Sequence, residues 1–290
     1  MTQEAQTPDI PPTRPTAAFS PQSKDELKTA INECLKLSST AFHNALTKSS
    51  QSKKGEIKSV VKSAIKSAVE VDCSKGSHGP ISKWDVSRVT DVSKMFLNAT
   101  YFNQDLSKWD VSRVTNMNAM FCHANSFNQD LSNWDVSRIT DMDWMFYHAH
   151  SFNQDLSNWD VSRVADMTAM FSAAKSFNQD LSKWDVSLVT NMQVMFADAD
   201  SFNEDLSKWD VSRVIGMRAM FSYAESFNQD LSQWDVSRVT DMDCMFSDAS
   251  SFRQTLCGAA WVNSNASKID TFAGSLGSIS NTVCGAWMFW

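Results

Sequence analysis

Between Ile81 and Leu256 the chain has no proline and one glycine, Gly216; all six prolines lie before Ile81. A glycine-poor stretch of this length excludes the Gly-rich turns of calcium-binding β-rolls and the Gly-rich loops that cradle phosphates. No apolar run reaches the length of a membrane-spanning helix. No C-x-x-C occurs among the six cysteines, which argues against zinc. The five histidines show no ligand spacing: His148 and His150 are two apart on an expected helix, so they should diverge. No nucleophile elbow or zinc-protease motif is present, and the expectation is a protein without catalysis, cofactor or metal. Positive charge is scarce where it would matter for nucleic acid. Residues 81–290 hold 15 Lys/Arg against 25 Asp/Glu, whereas residues 1–80 hold 11 against 8. An acidic array of this kind repels phosphate backbones. Met1 to Phe19 lacks the charged-then-apolar order of a secretory signal, so read literally the sequence is that of a soluble, unexported chain.

What is present is a repeat. Phe127-Asn128-Gln129-Asp130-Leu131-Ser132-Asn133-Trp134-Asp135-Val136-Ser137-Arg138 recurs nearly unchanged every 25 residues, with Trp84, Trp109, Trp134, Trp159, Trp184, Trp209 and Trp234 marking the period. A fixed period without insertions means that each copy stacks on the next in the same way. Within one unit, Thr115 to Ala124 predicts a short helix, since Met117, Met120, Phe121 and Ala124 fall at i, i+3, i+4 and i+7. Phe127 to Ser132 alternates like a strand, with Phe127 and Leu131 inward. Asp135 is placed to accept from backbone N–H groups two residues on, an Asx-type turn that needs no glycine. One strand and one short helix per unit is leucine-rich-repeat logic. The expected fold is an α/β solenoid of about seven 25-residue units, with short parallel strands, short helices and a helical N-terminal cap. Identical strands about 4.8 Å apart make a wall roughly 30 Å long.

The flanks read as caps. Residues 1–19 form a polar, Pro-rich tail, residues 20–80 a helical N-terminal cap, 81–256 the repeat and 257–290 a C-terminal cap. Ser23-Lys24-Asp25-Glu26 is a capping box opening a helix whose Leu27, Ala30, Ile31, Cys34 and Leu35 share a face. Residues 38–55 read as a linker with a helical turn at Ala41–Leu46. A second helix is expected from Glu56 to Val71, with an apolar stripe of Ile57, Val60, Val61, Ala64 and Ala68, Ile65 at one edge, and a basic stripe of Lys54, Lys58, Lys62 and Lys66. Cys34 with Cys73, and Cys257 with Cys284, make a disulfide framework with one pair at each end; Cys122 and Cys244 remain as thiols. Cap disulfides imply an oxidising compartment, in opposition to the missing signal. The aromatics Trp287, Phe289 and Trp290 need a surface to pack on.

Asp-Leu-Ser-x-Trp-Asp-Val-Ser-Arg-Val-Thr-Asp-Met-x-x-Met-Phe, as at Asp230–Phe246, resembles the repeat of the BspA-like leucine-rich-repeat surface proteins, also described as a domain of unknown function in mycoplasma lipoproteins and abundant in some algae. The resemblance covers about Gly79 to Leu256. It implies a solenoid of leucine-rich-repeat type, an extracellular or cell-surface setting and, as in characterised bacterial relatives, adhesion to host or matrix proteins. The flanks resemble algal members, in which the segments around Leu27–Leu35 and Cys73–Gly76 lie close together, so residues 38–71 look like an insertion. Asn98-Ala99-Thr100 and Asn265-Ala266-Ser267 are glycosylation sequons, meaningful for a secreted chain.

Comparison of the copies separates frame from surface. The Trp134, Asp135, Val136, Ser137, Met145, Phe146, Phe152, Asp155 and Leu156 columns barely change, whereas Asn118, Ala119, Cys122, His123, Asn125 and their equivalents vary. Varying side chains on a constant frame are how a repeat protein builds a specific surface. The candidate partner-binding residues are therefore Asn118, His123, Asn125, Asp143, Trp144, Tyr147, His148, His150, Asp198, Asp200, Arg218, Tyr223 and Glu225, and the partner is expected to be a macromolecule, most readily a protein. A structural or matrix role, or binding of a periodic ligand such as a polysaccharide or calcium along Asp105, Asp130, Asp155, Asp180, Asp205 and Asp230, is the alternative. A ladder of these side chains bonding neighbouring backbone turns is the simpler use of that column. Arg88, Arg113, Arg138, Arg163, Arg213 and Arg238 offset the acids, with Leu188 in the remaining place.

Overall fold

The computed structural model describes residues 18–48, 57–69 and 73–285. Two helices, α1 (Lys24–Lys48) and α2 (Ile57–Val69), precede the repeat. A short strand, β1 (Thr255–Leu256), ends it and pairs in parallel with β2 (Ser278–Ile279) beyond a one-turn helix α3 (Ala259–Val262). Between its opening 3₁₀ turn at Ile81–Lys83 and β1 the repeat holds neither helix nor extended strand.

The expected helix at Thr115–Ala124 is replaced by consecutive tight turns. The Met120 amide donates to the Met117 carbonyl (3.1 Å) and the Ala124 amide to the Phe121 carbonyl (2.9 Å). The third residue of each turn, Ala119 and His123, has positive φ (51° and 58°), as a type II turn requires. Between these bonds, alternate amides point to the next unit. Met117, Ala119, Phe121 and His123 donate to the carbonyls of Asp141, Asp143, Met145 and Tyr147 at 2.7–3.2 Å. A helix would turn those amides back on its own carbonyls and leave the neighbour's acceptors unpaired, at a cost of about 1–3 kcal/mol for each one buried. The same i, i+3, i+4, i+7 spacing of Met and Phe serves the turns, which is why periodicity misread them. The parallel wall is displaced accordingly. One bridge per unit joins Asp91, Asn116, Asp141, Asp166, Asn191, Gly216, Asp241 and Ser267 in succession, and none falls at Phe127–Ser132, the expected strand.

The core is a set of columns. Phe121, Phe146, Phe171, Phe196, Phe221 and Phe246 stack with ring centroids 5.6–5.7 Å apart and planes within 7°. Each also lies about 4 Å from the second Phe of its own unit, as Phe121 does from Phe127. Each Trp spends its N–H on the unit before it: Trp134 donates to Leu106, Trp159 to Leu131 and Trp184 to Leu156, all at 3.0 Å. Burying an indole requires such a partner. Among the described residues no buried side-chain nitrogen or oxygen is left without one.

The polar columns divide the work. Asn103, Asn128, Asn153, Asn178 and Asn203 each accept from the backbone amide 25 residues on, at 2.8–2.9 Å. The acidic column does not bridge units. Asp130 accepts from the Ser132 amide (2.9 Å) and Asp135 from that of Ser137 (3.1 Å), each closing its own turn.

At the N-terminal end Ser23 caps α1 by accepting from the Glu26 amide (3.2 Å), while the Glu26 carboxylate reaches the Gln22 amide rather than closing the box on Ser23. Leu27, Ala30, Ile31 and Cys34 are buried against the first unit. The expected linker is helical as far as Lys48, with Thr40 and Thr47 hydroxyls donating to the carbonyls of Lys36 and Asn44 within the helix. On α2, Ala64 and Ala68 are buried but Val61 and Ile65 stand exposed, so the apolar stripe is narrower than the sequence suggests. Phe19 is not part of a loose tail: its ring lies 4.1 Å from His78 and edge-on to Trp84. The rest of the expected tail (residues 1–17), Lys54 and the terminal aromatics at Trp287–Trp290 fall outside the described residues. Cys34 and Cys73 are disulfide-bonded, as are Cys257 and Cys284, with Cα atoms 5.0 and 5.1 Å apart; Cys122 is a buried thiol and Cys244 a partly exposed one.

Candidate functional site

The variable residues all belong to the turn segment that carries the unit-to-unit ladder. Two of their columns sit at positive φ in every unit: Lys94, Ala119, Trp144, Ala169, Val194, Ala219 and Cys244, and Asn98, His123, His148, Ala173, Asp198, Tyr223 and Asp248. Left-handed residues other than glycine are uncommon; the second column, with Asn98, His123, His148, Asp198 and Asp248, holds mostly the types that adopt the conformation most readily, whereas Ala119, Trp144 and Val194 in the first give no sign of it. The geometry holds the side chains in rows along one ridge. Trp144 and Tyr223 stand 37% and 53% exposed on it.

The ridge is densest between the second and third Trp-to-Trp units. The Asn118 amide donates to the Asp143 carboxylate of the next unit. Trp144 and Tyr147 meet edge to face at 4.6 Å, Tyr147 and His148 at 4.3 Å, and His123 stacks on His148 at 4.6 Å. His148 and His150, expected to diverge, converge: Nδ1 of the first is 3.3 Å from Nε2 of the second, and Asn125 Nδ2 lies 2.9 Å from His150 Nδ1. Without a helix the 100° rotation between successive residues is absent, and the two imidazoles share a side. A depression of about 270 Å³, lined by Lys94, Asn118, Ala119, Cys122, Asp143 and Trp144, opens at the Trp144 end of the cluster.

The remaining candidates lie farther along the same ridge and do not join this cluster. Lys175 pairs with Asp200 (3.0 Å), and Arg218 reaches Asp243 (3.4 Å) and Asp241 (4.0 Å). Asp198, Tyr223 and Glu225 are exposed. Larger open depressions occur on α1 around Leu35 and His43 and at the C-terminal end around Arg238 and Asn263.

Electrostatics follow the packing. Asp141 lies in the bridge column, and burial together with the neighbouring Asp143 pushes its carboxyl up to about 7. Burial and adjacent charges hold His148 and His150 below the ordinary histidine range. The turn-closing Asp135 and Asp180 are held below the usual carboxylate range, chiefly by the hydroxyls of Ser137 and Ser182. Burial raises the Cys122 thiol. Among the described residues no three His, Cys, Asp or Glu side chains are arranged around a metal position, and no helix is long and apolar enough to cross a membrane.

The sequence reading missed the lysines that finish the first unit. Lys24 Nζ binds both Asp91 oxygens at 2.9 Å, and Lys28 Nζ reaches the carbonyls of Lys94 and Met95 at 2.5 and 2.8 Å. Nothing in the spacing of two lysines on a helix distinguishes this from a solvated face.

No curated protein and no solved structure matches the chain. A family model described as "Mycoplasma protein of unknown function, DUF285" matches twice, at residues 63–184 and 170–287. The two matches tile the repeat and its C-terminal end and together span most of the 290 residues, so the chain belongs to the DUF285 family.

Proposed function

We propose that the chain is a non-enzymatic interaction protein: a solenoid of leucine-rich-repeat type, akin to the BspA-like surface proteins, that presents its turn ridge to another macromolecule, most readily a protein, in an adhesion-type role outside the cell. The observation that carries this reading is the division between frame and ridge. Trp, Phe, Met and Asn columns are spent on stacking, while Trp144 and Tyr223 project from a backbone fixed by the ladder and Tyr147 stands half-buried between Trp144 and His148. Exposed aromatic residues on a rigid support are the usual anchors of interfaces. The two disulfides agree with an extracellular setting. The uniform polar columns favour a structural role less, because the Asn ladder and the Asp turns are already consumed internally.

The test is recovery of partners from a native extract by the full chain and by a ridge variant carrying Trp144→Ala, Tyr147→Ala and Tyr223→Ala. The reading expects specific partners in the first arm and their loss in the second. Equal recovery in both arms would remove the ridge as the recognition surface.

A further inference from the structure

We propose that His148 and His150 form a two-histidine chelate for a divalent transition ion of zinc type, with water in the remaining coordination positions. The geometry carries it. Two imidazole nitrogens bound at about 2.0–2.1 Å and separated by a tetrahedral angle stand about 3.3–3.4 Å apart. His148 Nδ1 and His150 Nε2 are 3.3 Å apart, close enough for a hydrogen bond in the free protein and at the spacing that a shared ion requires. His148 sits at positive φ (56°), and its ring centroid lies 5.3 Å from that of His150.

Both rings are also held. His123 lies flat against His148 at 4.6 Å, with planes 21° apart, so it buttresses that ring without offering a third nitrogen to the same point. Asn125 lies 2.9 Å from His150 Nδ1. With the amide turned so that Oδ1 accepts from Nδ1–H, Nε2 carries the free lone pair, the arrangement by which neighbouring groups orient metal-binding imidazoles. Lys175, in the column of His150, has its charge engaged by Asp200 at 3.0 Å. The sites equivalent to His148 and His150 are Asn98 and Thr100, His123 and Asn125, Ala173 and Lys175, Asp198 and Asp200, Tyr223 and Glu225, and Asp248 and Ser250, so the imidazole pair is specific to one unit.

Zinc chloride alone is titrated calorimetrically into the full, disulfide-intact chain at fixed pH, alongside His148→Asn, His150→Ser, Asn125→Ala and His123→Gln. Asn is chosen at 148 because Asn98 holds the same left-handed backbone position. The expectation is one zinc per chain, affinity reduced about 10-fold or more by His148→Asn or His150→Ser, and about 10-fold by Asn125→Ala. His123→Gln should bind nearly as well as the parent, and the imidazole C–H resonances of His43 and His78 should not move. Unchanged melting of the variants separates ligand loss from misfolding. Absence of saturable binding overturns the proposal. So does undiminished binding by the His148→Asn/His150→Ser double variant, which would place the ion elsewhere, as at the partly exposed Cys244 thiol.

Discussion

The two ends of the stack are closed by different means. At the N-terminal end a 25-residue helix lies across the first unit and reaches its polar edge with two lysines. At the C-terminal end the chain builds one more, imperfect unit. The carbonyls of Ser267, Ile269, Thr271 and Ala273 accept from Met242, Cys244, Phe246 and Asp248, Phe272 extends the Phe column at 5.5 Å, and Trp261 donates to Leu231. The difference follows from the direction of the ladder. In the turn segment, alternate amides of each unit donate to carbonyls of the next, so there the first unit exposes acceptors and the last exposes donors. A lysine ammonium has three donors and no acceptor and finishes the first edge. Donors spaced along a backbone need carbonyls in register, which another turn of main chain supplies.

The largest effect should come from opening both kinds of edge at once in the middle of the stack. Trp159→Ala removes a buried indole and its bond to Leu131, and a loss of about 3–5 kcal/mol is expected. Denaturant unfolding should divide into two transitions; one sharp, barely shifted transition would show that the units are not coupled through this column.

Next is the C-terminal closure. A methyl group on Gly258 would lie 1.8 Å from the Ser232 carbonyl oxygen, so the capping segment must shift. Gly258→Ala should cost about 3 kcal/mol, with amide exchange of Met242, Cys244, Phe246 and Asp248 accelerated ahead of the rest of the stack. The N-terminal closure should be less sensitive, because Lys28 is partly open to water that can replace it. Lys28→Met should cost about 1 kcal/mol and leave amide exchange in the first unit nearly unchanged, since those amides donate to the second. If Lys28→Met proves as damaging as Gly258→Ala, the asymmetry of the two ends is wrong.

The last effect lies inside the stack, where neither end acts, and it depends on pH. Asp141 has its carboxyl raised to about 7 from an ordinary 3.8 by burial and Asp143. Its protonated form is favoured on folding, so stability is fully present below about pH 4 and is lost as pH rises towards 7. Asp141→Asn mimics the neutral form, and Asn116 and Asn191 already occupy the equivalent places. The variant should melt with the parent near pH 4 and above it at pH 8; a gap that does not change with pH would count against the shift.

Much of this was legible in the repeat. The Trp, Phe and Leu columns had to be interior, because no unit buries them alone. Asp135 could be assigned its turn from the residue two positions on, and the cysteines at the two ends could be paired by place. The local conformation of the ladder segment was not legible. Met117, Met120, Phe121 and Ala124 fit a helix as well as they fit stacked turns, and Ala119 and Trp144 give no sign of positive φ. The convergence of His148 and His150, and the edge-capping role of Lys24 and Lys28, depended on that conformation and were hidden with it.

The sequence by itself determined the 25-residue period, which side chains form the frame and where variation is concentrated, because identical units must repeat identical contacts. Only the tertiary structure decided how the backbone runs between those contacts. Alternate amides of the turn segment, such as Met117, Ala119, Phe121 and His123, had two acceptors available, one in their own segment and one in the next unit, and stacking made the second the bond that leaves no buried group unpaired.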